Sequence, residues 1–407
     1  MPLVNMKEML NHAYTNGYAV GAFDVVNLDF VTGVMAAAEK TASPVILSLA
    51  ESHFQHYDFE LLMAAVETAA KRAKVPVAIH LDHGESLESA IDSIRLGCNG
   101  VMVDASHTSF KENVETTAQV VSMAHACGIP VEGELGYVPG VEGEDAEQHP
   151  GEMCYTSVNE ASQFVELTGV DFLAVSIGTV HGRMKGEPKL DFERLQQINA
   201  SLAIPLVLHG GTGLTAEQYK RLIENGIAKI NYYTALADAA GACVGKNADQ
   251  RRLGFTGLMQ GVSDGVQAEA ARCMTLWGSA GRASEVLAHC EPWLPVEHLI
   301  IYNTSIDDGR QIDHMMAEGR RVLAAIPGVR RVFTGDAVQE SAGYRYTWLV
   351  TFCHPAVIDS YREHTDHVAF ADGFFRPIAG DRISIDYQAV ERDDSAAGAD
   401  RVAKMSA

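Results

Sequence analysis

His83, His181 and His209 are the residues of this chain best suited to act together in chemistry. Each follows a short apolar run and each is followed by glycine. Three neutral imidazoles that leave one position open form a known catalytic set for zinc. One such histidine alone reads more simply as a hydrogen-bonded loop residue; three, with Asp82 beside the first, favour a metal. Asp82 projects to the other side of an extended chain from His83. There a carboxylate can move a proton at the metal site or orient an imidazole. Glu134 has the same two readings, and support of the metal ligands is preferred. His80 lies within its apolar run and reads as an interior histidine with its hydrogen bonds satisfied. His107 could serve substrate or ligands equally.

A second group could bind phosphate. His209-Gly210-Gly211-Thr212-Gly213-Leu214 is a glycine-rich turn entering a helical stretch. Bare N–H groups in such a turn, with a helix N-terminus, hold phosphate without net positive charge. Asn231, Tyr232, Tyr233 and Thr234 after a later run, and Gly182 and Lys185 after an earlier one, would complete the cradle.

These residues can meet only if the chain carries the ends of several runs to one place. Apolar, β-branched runs occur at 19–23, 45–49, 77–81, 100–103, 130–134, 172–176, 206–208 and 227–230. Amphipathic stretches lie between them, at 29–41, 59–73, 87–96, 110–126, 157–167 and 216–224. Eight alternations of strand and helix predict a parallel (β/α)8 (TIM) barrel over residues 1–287. An open doubly wound sheet is the rival, but no G-x-G-x-x-G opens the first unit. The polar clusters all sit at the carboxyl ends of the runs. In a barrel that is the rim where loops converge on one mouth, and phosphate sites commonly follow strands seven and eight.

The pattern changes after residues 288–297, which hold prolines and read as a linker. Over 298–390 the order is β-α-β-β-α-β, a ferredoxin-like α+β arrangement. Ile300, Tyr302, Val332, Trp348, Val350, Ile383 and Ile385 on its strands are too much apolar surface to leave in water. The module is therefore expected to pair with itself and make a homo-oligomer, a dimer or tetramer. Residues 391–407 are charged and small, and are expected to be disordered.

Composition narrows the classes further. A net charge of −22 disfavours nucleic acid and anionic membrane as partners. No apolar run is long enough to span a bilayer, and no signal peptide is read at the start. Seven scattered cysteines without a C-x-x-C pair fit reduced thiols in a cytoplasm.

The residues also resemble a known family. Gly21-Ala22-Phe23 with Asn27-Leu28, His80-Leu81-Asp82-His83-Gly84, Asp104 with Ser106-His107, Glu134-Leu135-Gly136, Ile177-Gly178-Thr179-Val180-His181-Gly182, Lys185-Gly186-Glu187-Pro188, Leu208-His209-Gly210-Gly211-Thr212-Gly213 and Lys229-Ile230-Asn231 resemble class II fructose- and tagatose-bisphosphate aldolases. The resemblance covers roughly residues 3–286. It implies that His83, His181 and His209 hold one zinc and that Asp82 donates and accepts the proton. It implies that Gly182, Gly210–Thr212 and Asn231–Thr234 bind the dihydroxyacetone-phosphate half of a phosphorylated ketose. A monovalent cation near that phosphate is a further family feature. Residues 298–390 are similar to a stress-responsive dimeric α/β-barrel domain, through His298-Leu299-Ile300-Ile301-Tyr302, His364-Thr365-Asp366-His367 and Phe374-Phe375-Arg376-Pro377.

Departures bear on the substrate. Asp24 stands where the family has asparagine, and Glu51 and His53 replace a small or glycine-rich loop. Arg282 resembles a late arginine that can serve the distal phosphate. Fructose or tagatose bisphosphate is the default, with a different ketose phosphate as the alternative. A sensor that binds sugar phosphate without catalysis is a reading from another class, and so is a hydrolase or isomerase using the same mouth. Retention of Asp82 argues against the sensor, since binding alone does not need it.

Overall fold

The computed structural model describes residues 2–140, 143–145, 154–183, 188–251 and 254–389. Lys185 and the stretch 391–407 lie outside the described residues. Eight parallel strands close a barrel: β1 (Val20–Asp24), β2 (Val45–Ala50), β3 (Val77–Gly84), β4 (Gly100–Val103), β5 (Val131–Leu135), β6 (Phe172–Val175), β7 (Leu206–Leu208) and β8 (Ile227–Tyr232). Ala22 of β1 pairs with Asn231 of β8, and this closure excludes the open sheet.

Helix α1 (Met6–Asn16) precedes the barrel. The helices α2 (Leu28–Thr41), α3 (Phe59–Arg72), α4 (Leu87–Leu96), α5 (Phe110–Ala126), α6 (Val158–Thr168), α7 (Phe192–Leu202), α8 (Ala216–Glu224) and α9 (Thr234–Asp249) follow the strands in turn. The last part of the barrel unit is α10 (Phe255–Met259), α11 (Val262–Leu276) and α12 (Ala283–His289). Local chemistry sets the helix starts. Ser109 and Glu112 form a capping box on α5, and Thr215 and Gln218 form another on α8.

The barrel interior is layered. Side chains alternate across a strand, so every second residue faces inward. At the amino end, Val20, Ala22, Ile46, Ala78, Phe172, Ala174 and Val207 pack with Met6, Met9, Leu10 and Ala13 of α1, which plugs that end. One step up, His80, Glu132 and Lys229 are fully buried. Another step up are Asp82, Glu134, His209 and Asn231. The outward set, including Val77, Ile79, Leu81, Val131, Leu206, Leu208 and Ile230, forms the apolar layer under the helices.

The second unit is a four-stranded antiparallel sheet in the order β10 (Val329–Asp336), β11 (Tyr346–Phe352), β9 (Val296–Thr304), β12 (Ala379–Gln388). Helices α13 (Gly309–Leu323), α14 (Val357–Glu363) and α15 (Thr365–Phe370) cover one face. Tyr302, Trp348 and Val350 are buried on that face, with Trp348 against Phe370 and Tyr302 against Phe375. The register puts Ile300 and Val332 there too, opposite Trp348 and Val350. Five of the seven residues expected to lie bare are therefore already covered. The open face is a different set: the row Phe333, Leu349, Leu299, Ile385 runs across all four strands, with Ile301 and Ile383 beside it. Phe333, Ile383, Ile385 and Tyr387 are 41–49% exposed, a contiguous apolar patch.

The stretch read as a linker is packed. Trp293 is buried and its N–H donates to Leu3 O, while Val4 bridges Pro292. The second unit rests on the amino end of the barrel. Arg330 of β10 reaches Glu67 of α3 at 2.7 Å and the carbonyls of Arg95 and Leu96 at the end of α4. Ser360 donates to Ala126 O at the end of α5, and Trp293 stacks on His354. No helix among the described residues is long and apolar enough to cross a membrane.

Candidate metal centre

The carboxyl ends of β3, β6 and β7 bring His83, His181 and His209 together. Their ring centroids lie 4.7 to 5.6 Å apart, and the planes cross at 75°, 86° and 83°. One nitrogen of each ring can reach a common point, since these atoms lie within 4.8 Å of one another. The other nitrogen of each ring is held by an acceptor. His83 Nδ1 lies 2.7 Å from Asp104 Oδ2, His181 Nδ1 3.1 Å from Val138 O, and His209 Nε2 3.0 Å from Glu132 Oε1. A carboxylate or carbonyl accepts only, so each ring donates outward and turns a lone pair inward. His83 holds this place at φ 47°, a left-handed conformation that a non-glycine residue adopts at some cost.

The surroundings fit a cation. His83 Nε2 and His209 Nδ1 are 3.0 Å apart, and two lone pairs at that distance need positive charge beside them. Glu134 Oε2 is buried without a hydrogen bond and lies 3.9 Å from His209 Nδ1. Burial, with Asp104 nearby, pushes the Glu134 carboxyl well above its ordinary value. Burial would lower the His83 imidazole, but Asp82, Asp104 and Glu134 outweigh it and raise that group well above its ordinary value. Both shifts draw positive charge, here a proton, into the space between the rings, and carboxyl groups around three imidazole nitrogens suit a divalent ion of borderline softness such as zinc in its place. His83, Asp104 and Glu134 form a second overlapping set of donors.

Asp82 is 1% exposed, and its Oδ1 accepts from Asn231 Nδ2 at 2.6 Å. Burial raises its carboxyl, but His83, His209 and Lys229 more than offset this and hold it below the ordinary value. His80 is interior as expected, with Nδ1 3.3 Å from Ser48 Oγ. Its Nε2 makes no hydrogen bond and lies 3.6 Å from Glu132 Oε2, so its hydrogen bonding is only half satisfied. Burial lowers this imidazole well below its ordinary value. His107 is exposed on the rim.

The glycine turn touches its neighbours closely. A Cβ on Gly210 would stand 2.2 Å from Val180 O, and Gly210 has φ 64°, so glycine is required there. Gly182 has φ 83° beside it. Thr215 and Gln218 cap α8, whereas α9 starts at Thr234 without a side-chain cap. Thr234 Oγ1 accepts from Gly143 N–H. Tyr232 does not face the cradle, because its hydroxyl donates to Glu269 and its ring packs on Trp277.

The residues expected at the distal end divide. Asp24 ends β1 and is buried. His53 is buried after β2, its ring 4.5 Å from that of Tyr233. Glu51 accepts from Glu85 N–H and Ser89 hydroxyl, which ties the loop after β2 to the start of α4. Arg282 is at the wrong end. It lies over the Tyr18 ring ahead of β1 and pairs with Glu285, and its neighbours Gly281 and Ala283 bond Thr41 and Ala42 ahead of β2. It cannot meet a substrate at this chain's rim. A cavity of about 230 Å³ opens above the site, lined by Ser52, His83, Asp104, Glu134, Tyr137 and His181 among others.

Three residues with clear contacts carried no assigned role in the sequence: Asp104, Glu132 and Lys229. Their signal was spacing. Glu132 and Lys229 stand two positions before Glu134 and Asn231 on their strands, hence on the same inner face.

The (β/α)8 barrel thus gathers, at its carboxyl rim, a buried carboxylate and three imidazoles that could hold a metal ion. Residues 4–282 match the family described as fructose-bisphosphate aldolase class-II, and 297–389 match the stress responsive A/B barrel domain. The fructose-bisphosphate aldolase of Geobacillus stearothermophilus is 41% identical over 295 residues, covering 70% of this chain and 100% of the relative. A probable fructose-bisphosphate aldolase of Bacillus subtilis (strain 168) is 47% identical over 237 residues, 58% of this chain and 82% of the relative. The crystal structure of the YdjI aldolase from Escherichia coli K12 superposes with TM-score 0.63 at 38% identity, covering 69% of this chain and 99% of that one. The chain belongs to the class II fructose-bisphosphate aldolase family and carries a C-terminal stress responsive A/B barrel domain.

Proposed function

We propose that this protein is a metal-dependent aldolase that cleaves and forms the C3–C4 bond of a phosphorylated ketose, of the fructose- or tagatose-1,6-bisphosphate type, giving dihydroxyacetone phosphate and an aldehyde. The observation that carries the reading is the set of three imidazoles, each pinned by an acceptor on its outer nitrogen. His83, His181 and His209 would hold the zinc, and Asp104, Glu132 and Val138 O orient them. When bound, such an ion supplies Lewis-acid polarisation of the ketone and stabilises the charge that develops on cleavage. Asp82 takes the C4 hydroxyl proton as the C3–C4 bond breaks and returns it in condensation. Asn231 holds one oxygen of that carboxylate, which leaves Oδ2 for the proton. Gly182, Gly210, Gly211, Thr212 and the start of α9 supply backbone N–H groups for the phosphate. Arg282, over the Tyr18 ring, takes no part in holding the distal end at this chain's rim.

The C-terminal sheet suits a second copy of itself. A single open four-stranded sheet cannot close into a barrel, whereas two packed through the row Phe333, Leu349, Leu299, Ile385 would cover both patches.

The test is turnover of a panel of ketose bisphosphates and ketose 1-phosphates, read by coupled detection of dihydroxyacetone phosphate. Activity should vanish on exhaustive chelation and return with zinc or cobalt. Full turnover by metal-stripped protein, or borohydride trapping of substrate on a lysine, would end this reading.

A further inference from the structure

Below the rim, one ammonium group links the two halves of the site. Lys229 is fully buried on the inner face of β8. Its Nζ donates to Glu132 Oε2 at 2.7 Å and to Asn231 Oδ1 at 2.7 Å. The other oxygen of Glu132 accepts from His209 Nε2 at 3.0 Å, and the other end of the Asn231 amide donates to Asp82 Oδ1 at 2.6 Å. The chain His209, Glu132, Lys229, Asn231, Asp82 is thus continuous. Every member is at most 2% exposed.

The bond directions are forced. An ammonium group only donates, so the oxygen of the Asn231 amide must face Lys229. The NH2 end then faces Asp82 and donates to it. Without Lys229 the amide oxygen loses its donor, and the Asn231 side chain, held then at its NH2 end alone, is free to swing and carry the Asp82 carboxylate with it. Glu132 likewise has two oxygens and two strong donors, one on each. Loss of one donor frees the carboxylate to rotate, and the His209 ring loses its fixed partner. A lysine here is otherwise costly, since burying an ion pair is seldom a net gain over apolar packing. The apolar layer of Val20, Ile46, Ala78 and Val207 beneath shows that such packing is available in this barrel.

We propose that Lys229 is a positioning residue that sets the His209 ring, through Glu132, and the Asp82 carboxylate, through Asn231, from one buried charge. This rests on the aldolase reading for the role of Asp82, but the metal arm of its test needs no substrate.

The experiment compares wild type, Lys229→Met and the double variant Glu132→Gln/Lys229→Met in the full-length chain. Cobalt affinity is measured by chelator competition, with kcat, KM and melting temperature. Lys229→Met should weaken cobalt binding by about 10- to 100-fold. It should lower kcat by about 10²-fold with KM nearly unchanged, as for a displaced reacting group. The double variant removes both charges and keeps an acceptor for His209. It should regain melting temperature while kcat stays low, because Asn231 is still unanchored. Recovery of kcat together with stability would show that the pair serves folding alone and would overturn the proposal. Wild-type cobalt affinity and kcat in Lys229→Met would overturn it as well. If no ketose phosphate is turned over by wild type, the aldolase reading fails, and the cobalt comparison still decides whether Lys229 acts on His209.

Discussion

Asp82 and His83 are adjacent in sequence, and alternation along β3 sends their side chains to different tasks. Asp82 is fully buried, bonded to Asn231 and held in its charged form by the surrounding imidazoles and Lys229, while His83 is half-buried and pinned to Asp104. Asp82→Ala should keep the fold and the metal and lower kcat by about 10² to 10⁴-fold, the worth of one general acid/base. His83→Ala should lose the metal instead, read by metal content after dialysis. If the metal followed Asp82 and ignored His83, the two roles would be reversed. These residues were legible in the sequence because together they close an apolar run just before Gly84. Glu132 and Lys229 were not, because a charge inside an apolar strand looks like an isolated exception until its partner across the barrel is seen. Arg282 was misplaced for the converse reason: a motif gives no direction along the barrel axis, and α12 returns to the amino end.

The barrel elements were legible at the scale of strand and helix. Strands buried on both faces read as continuous apolar runs, and amphipathic helices intervene at regular spacing. Faces in the second unit were less legible, since Ile300, Trp348, Ile383 and Ile385 are alike in type and only the register separates covered from open. Contacts between units carry almost no sequence signal, and Arg330 with Glu67 is the clearest of them. Burial pushes the Glu67 carboxyl up, but the hydrogen bond and charge of Arg330, helped by Lys71, hold it below its ordinary value. A carboxyl lowered in the folded state stabilises fully above its ordinary value and loses that contribution as pH falls through the folded value. Glu67→Gln should therefore cost about 3 kcal/mol at neutral pH, as expected for one partner lost from a mostly buried pair. Urea denaturation at pH 7 and below pH 4 measures this; the gap between wild type and variant should shrink at the lower pH. A gap that stays constant across that range would show that the charge of Glu67 does not hold the units together.

At the scale of the whole molecule, the three-histidine rim and the second unit lie at opposite ends of the barrel. The rim is built from the carboxyl ends of the strands, whereas Arg330 meets Glu67 of α3 and the end of α4, and Ser360 and His354 meet the end of α5 and the turn after it. A lid formed by this unit over its own histidine rim is thereby ruled out by distance along the barrel axis. What remains uncovered is the sheet face with Phe333, Leu299, Leu349, Ile383 and Ile385. Burying apolar surface contributes roughly 25 cal/mol per Å², and a two-fold axis lets one such face cover its own copy. Ile385→Asp places a charge at the end of the row that crosses all four strands. It should lower the mass of the oligomer in sedimentation while leaving kcat and KM for the ketose phosphate within about twofold, since surface changes remote from a site have small effects. Truncation after Pro295, which keeps the packed Trp293 segment with the barrel, should also preserve metal binding and turnover and reduce the oligomer. An unchanged sedimentation coefficient for Ile385→Asp would mean that the sheet face does not join copies of the chain. A selective fall in kcat with metal retained in the truncated protein would mean that the second unit of a neighbouring copy reaches the rim.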